Sequence, residues 1–174
     1  MNRRHLALPR VWMLTDERQG VALWDAAARL PRGAGVVVRH YSLPFVERAV
    51  MVRRLRRQGL FVALSGTDAE ARRAGADAVY GRAAGALPLL YPVHNRREIA
   101  AAERARASLL LLSPVFPTRS HPGGRTLGPL RFGLLVRATQ KPVIALGGMT
   151  AVQYRRLRGL GAQGWAAIDA WTSN

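Results

Sequence analysis

The sequence predicts an α/β protein built as a TIM-type (β/α)8 barrel with about two outer helices missing or shortened. Three observations predict it. Eight short apolar runs read as buried strands, and they alternate with about six helical stretches. The segment 109–149 reads strand, loop, helix, strand, a βαβ unit of the kind that builds parallel sheets. Polar residues or glycines follow nearly every apolar run, at the strand ends where α/β proteins place their ligands. A doubly wound open sheet is the alternative arrangement of the same elements.

The first strand is Val11-Trp12-Met13-Leu14, which empties into Thr15-Asp16. A helix over 19–30 is stopped by Pro31 and Gly33. The second strand spans 35–41 around Val36-Val37-Val38, with Arg39 and His40 at its end. Pro44 then opens a helix whose Phe45, Ala49, Val52 and Leu55 recur at spacings of three and four, until Gln58-Gly59 ends it. A strand over 60–64 runs into Ser65-Gly66, and Thr67 or Asp68 caps a short helix through Arg73. The fourth strand is Ala78-Val79-Tyr80, and 81–87 leaves hardly any room for a helix before the fifth strand at 89–93. Asn95 is placed to cap the helix 96–106. Leu109 to Leu112 form the sixth strand, which passes into Ser113-Pro114-Val115-Phe116-Pro117-Thr118 and a Pro/Gly-rich loop. After the next helical stretch come the strand 142–146 with Gly147-Gly148-Met149, the helix 152–160, and a last strand over 165–168.

At 174 residues the chain is one domain, 1–174, shorter than the roughly 200-residue lower end for such barrels. The helices after the fourth and eighth strands are the ones expected to be missing, and the apolar rim this exposes is expected to be covered by a second copy in a homo-oligomer. With 49% apolar residues and a mean hydropathy near zero, the composition describes a globular core rather than a disordered chain. No apolar run approaches the roughly 18 residues of a membrane span, and Met1-Asn2-Arg3-Arg4-His5 has no secretory apolar core. A cytoplasmic location without membrane contact is the expectation. The absence of cysteine removes disulfides, thiolate nucleophiles and Cys-based metal sites.

The formal charge of +17 comes almost wholly from arginine, since Lys141 is the only lysine. The arginines are spread over several helices, which reads as a solvated outer ring. Weak, nonspecific nucleic-acid association is a further alternative.

Among titratable residues, His94 at a strand end and His121 in the 119–126 loop are candidates for proton transfer, with Ser120 or Thr118 able to orient His121. Arg39 is expected to face the barrel mouth as an anion-binding group. His40, His94 and His121 lack metal-ligand spacing, and neither a Gly-x-Ser-x-Gly elbow nor a Walker motif is present.

The residues Leu14-Thr15-Asp16, 71–80, Val93-His94, the run Pro114-Val115-Phe116-Pro117-Thr118, Gly128-Pro129-Leu130 and the run from Pro142 to Gly148 together resemble the thiamine-phosphate synthase family, including its thiazole tautomerase (TenI) branch. The family couples an aminopyrimidine pyrophosphate to a thiazole phosphate in thiamin biosynthesis. The resemblance implies that Arg39, Thr118 and Ser120 hold pyrophosphate. It implies that Gly147 and Gly148, with Ile168 and Asp169, hold the thiazole phosphate. Ser120, Thr118 and His121 then surround the reacting groups, and Ser65, His94 and Ser113 line the pocket. A small phosphorylated molecule is the implied partner, and Mg2+ the implied cofactor if the synthase reaction is retained.

Several positions depart from the family pattern. Tyr41 stands where the family has a lysine, Ser65-Gly66 where it has Asn-Asp, Pro92 where it has a serine, and His121 where it has a lysine. No acid follows Tyr80-Gly81 to supply a metal ligand, so no metal-binding residues are assigned. Asp169 replaces a serine, and at about 4 Å from a phosphate its charge would repel by several kcal/mol unless an arginine intervenes. A thiazole tautomerase-type enzyme and a non-catalytic phosphate-binding barrel are therefore the alternatives, since neither needs magnesium.

Overall fold

The computed structural model describes residues 8–119 and 123–171. Its sheet is β1 (Val11–Leu14), β2 (Gly35–Val38), β3 (Phe61–Ser65), β4 (Ala78–Tyr80), β5 (Leu89–Val93), β6 (Leu109–Leu112), β7 (Val143–Leu146) and β8 (Gly164–Ala167). Every strand pairs in parallel with its sequence neighbours, and β8 pairs back onto β1 through Trp12 and Ala166, which closes the barrel. The open-sheet alternative is excluded by that closure.

Parallel strands are buried on both faces, which is why these segments read as continuous apolar runs rather than alternating ones. One set of side chains, including Trp12, Val37, Ala63, Leu90, Leu111 and Ile144, packs inside the barrel. The set one residue out of phase, including Met13, Val36, Leu64, Leu110 and Ala145, packs under the helices. Trp12 plugs the amino-terminal end: its indole Nε1 donates to the Pro9 carbonyl at 2.7 Å, and Phe61 meets the ring edge-on at 5.7 Å. A Cβ at Gly35 would lie 2.2 Å from that indole, so only glycine leaves room for the plug.

Six α-helices lie among the described residues: α1 (Ala22–Ala28), α2 (Phe45–Arg57), α3 (Asp68–Ala74), α4 (Arg96–Arg104), α5 (Gly128–Val136) and α6 (Ala151–Arg158). The expected start of the first helix at 19 is corrected, because Asp16 and Gln19 form a capping box around a separate 3-10 turn, Glu17–Gln19. The fourth helix stops at 104, and Arg106 adopts a positive φ of 54°. As the short spacing implied, no helix joins β4 to β5, and none lies between β8 and residue 171. The β4 to β5 connection is held instead by Asp68, whose carboxylate accepts from the Leu87 amide at 2.8 Å. None of the helices is long and apolar enough to cross a membrane.

Candidate functional site

At the carboxyl end of the strands lies a cavity of about 860 Å3, the size of a small-molecule site. Inward phase along the strands decides what reaches it. Arg39 continues the inward row of β2 after Val37, Pro92 and His94 that of β5, Ser113 that of β6, and Leu146 and Gly148 that of β7. Arg39, His94, Ser113, Thr118, Gly147, Gly148, Ile168 and Asp169 all line this one cavity. Ser120 and His121 lie outside the described residues.

Ser65 is the exception among the expected pocket residues. It ends β3 on the same side, but Tyr41 folds over it and accepts a hydrogen bond from its Oγ at 3.1 Å. Ser65 is left only 5% exposed and does not line the cavity. Tyr41 covers a residue 24 positions away in the chain, a relation that sequence order does not reveal.

Arg39 reaches the mouth already engaged. Its Nε donates to the Thr15 carbonyl at 2.9 Å and its Nη2 to the Asp16 carboxylate at 3.2 Å. Arg39 is thus shared between the cavity it lines and a carboxylate. Asp16 is itself held below the usual carboxylate range, chiefly by the side-chain hydrogen bond from Arg18, with Arg39 adding its charge.

The β7 turn is shaped for backbone contacts. Gly147 and Gly148 have φ of 92° and 62°, and a Cβ on Gly148 would lie 2.3 Å from the Pro117 carbonyl oxygen. The turn is thereby pressed against the loop after β6, whose Phe116 amide donates to the Gly147 carbonyl at 3.0 Å. Outside the strand ladders, the Gly147 and Gly148 amides donate to no backbone acceptor among the described residues. Backbone N–H groups in such a turn beside a cavity can converge on an anion.

Electrostatically the lining is cationic, with Arg39, Arg82, Arg119 and Arg125 against one carboxylate, Asp169. Asp169 also shares a small cleft with Arg18 and Arg119, and the Arg18 guanidinium's proton affinity is raised chiefly by its hydrogen bond to Asp16, with the Asp169 charge adding to it. Arginines therefore intervene around it. His94 and Glu98 form a second pair: Glu98 Oε2 contacts His94 Nδ1 at 2.8 Å and accepts from the His94 amide at 2.7 Å. Partial burial pushes the Glu98 carboxyl up, but these bonds and the nearby charges of His94 and Arg82 hold it below its ordinary value. Residue-by-residue reading passed over Tyr80, which ends β4 in the inward phase and lines the cavity. Burial raises its phenol to about 12, so it is a permanent hydrogen-bond donor at neutral pH. The signal that would have found it is the alternation Ala78, Tyr80 at a strand end.

Magnesium wants several carboxylate or carbonyl oxygens around one point. The described lining offers Asp169 alone, among arginines, and the acids beside lining residues are already engaged, Asp16 with Arg18 and Arg39 and Glu98 with His94. This donor set does not fit the ion that the family's reaction would use.

The fold and this mouth define a TIM-type barrel with a cationic cavity at its carboxyl end. Residues 89–171, which carry His94, the Ser113 to Thr118 loop and the Gly147-Gly148 turn, match the family model for thiamine monophosphate synthase. Over those residues, a little under half of its length, the chain is similar to the thiamine-phosphate synthase family. A thiamine phosphate pyrophosphorylase from Pyrococcus furiosus superposes with a TM-score of 0.75 over 96% of this chain and 88% of its own, at 20% identity. A glycerol uptake operon antiterminator regulatory protein from Listeria monocytogenes gives 0.67 over 91% of each chain at 12% identity. A FabK mutant from Thermotoga maritima gives 0.73 at 15% identity, with 94% of this chain covering 61% of that one. At such identities these structural likenesses concern the fold alone. No curated protein sequence matches the chain.

Proposed function

We propose that the barrel mouth binds a small phosphorylated ligand of thiamin biosynthesis, the family's thiazole phosphate, and that it couples this to aminopyrimidine pyrophosphate slowly at best. The observation that carries the reading is the glycine turn at Gly147 and Gly148, held at positive φ beside a cavity lined by four arginines. In this reading the amides grip the phosphate, Arg39 and Arg125 face the pyrophosphate, and Tyr80 donates to an oxygen between them. Coupling requires stabilisation of a highly charged leaving group. Arg39 is partly neutralised by Asp16 and the carboxylate set for magnesium is incomplete, so turnover falls below the family norm by a factor on the order of 10² or more.

Calorimetric titration with thiazole phosphate and with its dephosphorylated alcohol tests the grip; only the phosphate is expected to bind. Thiamine phosphate formation from both authentic substrates, measured with and without magnesium, tests the chemistry. Fast, magnesium-dependent turnover would overturn the slow-coupling reading and restore a plain synthase.

A second reading, a thiazole tautomerase-type enzyme, is favoured by the His94–Glu98 pair at the cavity wall. Such a reaction needs a base, an acid and a phosphate grip, and the carboxylate orients the imidazole with Nε2 left for proton transfer. Proton exchange at the thiazole phosphate ring, followed by NMR with the parent and His94→Gln, separates it from a silent binder. Exchange in neither protein would exclude it.

A further inference from the structure

The arginines that look scattered along the sequence are gathered by the fold. All strands run parallel, so every helix ends at the amino-terminal side of the barrel, opposite the mouth. The last turns of α2 and α3 carry Arg54, Arg56, Arg57, Arg72 and Arg73, while their first turns carry Glu47, Asp68 and Glu70. Between these two helix ends lies an open groove of about 890 Å3 lined by Arg53, Arg56, Arg57, Arg72 and Arg73; of these, Arg56 is held by Asp77 and the Gly75 carbonyl, and Arg73 lies over the Phe45 ring at 4.4 Å. Asp77 is the sole carboxylate among its lining residues, and it is already committed to Arg56 at 2.9 Å and to the Val62 amide. Arg53, Arg57 and Arg72 form no ion pair with a described residue.

Basic residues in a last turn suit the helix dipole, and that accounts for a cation or two per helix. It does not account for Arg53, a full turn earlier, nor for placing Arg53 beside Arg56 and Arg57 at i+3 and i+4, where like charges repel. Arg53, Arg57 and Arg72, three guanidinia without an ion pair beside one spent carboxylate, form a surface that a polyanion would complete.

We propose that this amino-terminal groove binds the phosphodiester backbone of a nucleic-acid strand, without base readout, at a site separate from the mouth. The guanidinium fork matches phosphate oxygens, and the groove floor, with Pro9 and Phe61, gives a base an apolar surface to rest on. A lipid surface is disfavoured because none of the large exposed apolar side chains, such as Val46, Val50, Leu130 and Leu134, lines the groove.

The test is fluorescence anisotropy with labelled single-stranded RNA and DNA across a salt series, on the full chain. Arg53→Gln, Arg57→Gln and Arg72→Gln combined are compared with an equal charge loss elsewhere, Arg96→Gln, Arg97→Gln and Arg131→Gln combined. All six side chains are exposed, and thermal melting confirms that both variants fold. The groove variant is expected to lose about tenfold or more in affinity at about 0.1 M salt and to flatten the slope of log K against log salt by about two, as three lost phosphate contacts on a single strand require. The control is expected to change by less than about threefold, with the slope nearly kept. Equal losses in the two variants would show that net charge alone attracts the strand and would overturn the site. Undetectable binding at low salt would overturn it too. Displacement of the strand by tripolyphosphate, or by an acidic peptide, at matched charge concentration would replace the nucleic acid with a compact anion or a protein partner.

Discussion

Arg39 and Asp16, from the ends of neighbouring strands β2 and β1, meet across the barrel mouth at 3.2 Å. Both side chains are about four-fifths buried, so the pair is shielded in part from solvent screening. The arginine most suited to a pyrophosphate is thus restrained by a carboxylate one strand away.

Asp16→Asn keeps the oxygen that caps the 3-10 turn and removes the competing charge. Pyrophosphate affinity should rise about three- to tenfold, which corresponds to roughly 1 kcal/mol for a partly exposed pair. Calorimetry of inorganic pyrophosphate binding would check this, and an unchanged or lower affinity would show that Asp16 positions Arg39 productively.

Asp169 closes the cavity beside Arg18 and Arg119. Asp169→Ser should strengthen thiazole-phosphate binding by several-fold at low salt and by less at high salt, because the lost repulsion is screened. A weaker complex in the variant would mean that Asp169 serves mainly to hold those arginines in place.

Gly148→Ala places a Cβ at φ 62° and 2.3 Å from the Pro117 carbonyl oxygen. The turn must shift, and the expected cost is about 1–3 kcal/mol of stability, measured by denaturant unfolding, together with loss of phosphate binding. Full stability with normal binding would refute the close packing of the two loops.

His40 provides the pH dependence. Burial lowers its pKa below the ordinary 6.5, and its Nδ1 lies 2.9 Å from Thr15 Oγ1, which also accepts from the Arg39 amide at 3.0 Å. Since the folded pKa is the lower one, the unfolded chain binds more protons between that value and 6.5. This stability is complete above 6.5 and is lost as pH falls through the folded pKa. Melting temperatures at about pH 7.5 and about pH 5.5 should fall more for the parent than for His40→Asn, because Asp16 and Glu98, held low, titrate further into acid. Equal falls in both proteins would remove His40 as the source.

What the sequence determined by itself was local. Continuous apolar runs marked all eight strands because parallel strands must be apolar on both faces, and the seven residues at 81–87 excluded a helix because they are too few to form one and return. The Gly147-Gly148 turn and the Ser113 to Thr118 loop were legible because each directly follows a strand. What only the tertiary structure decided were relations between residues distant in the chain. Tyr41 covers Ser65, 24 positions away, and Asp16 claims Arg39, 23 positions away, because the barrel register sets neighbouring strand ends side by side. The arginines looked dispersed for the same reason: parallel strands align all helix ends on one side, so residues 53, 57 and 72 become neighbours only once the barrel has closed.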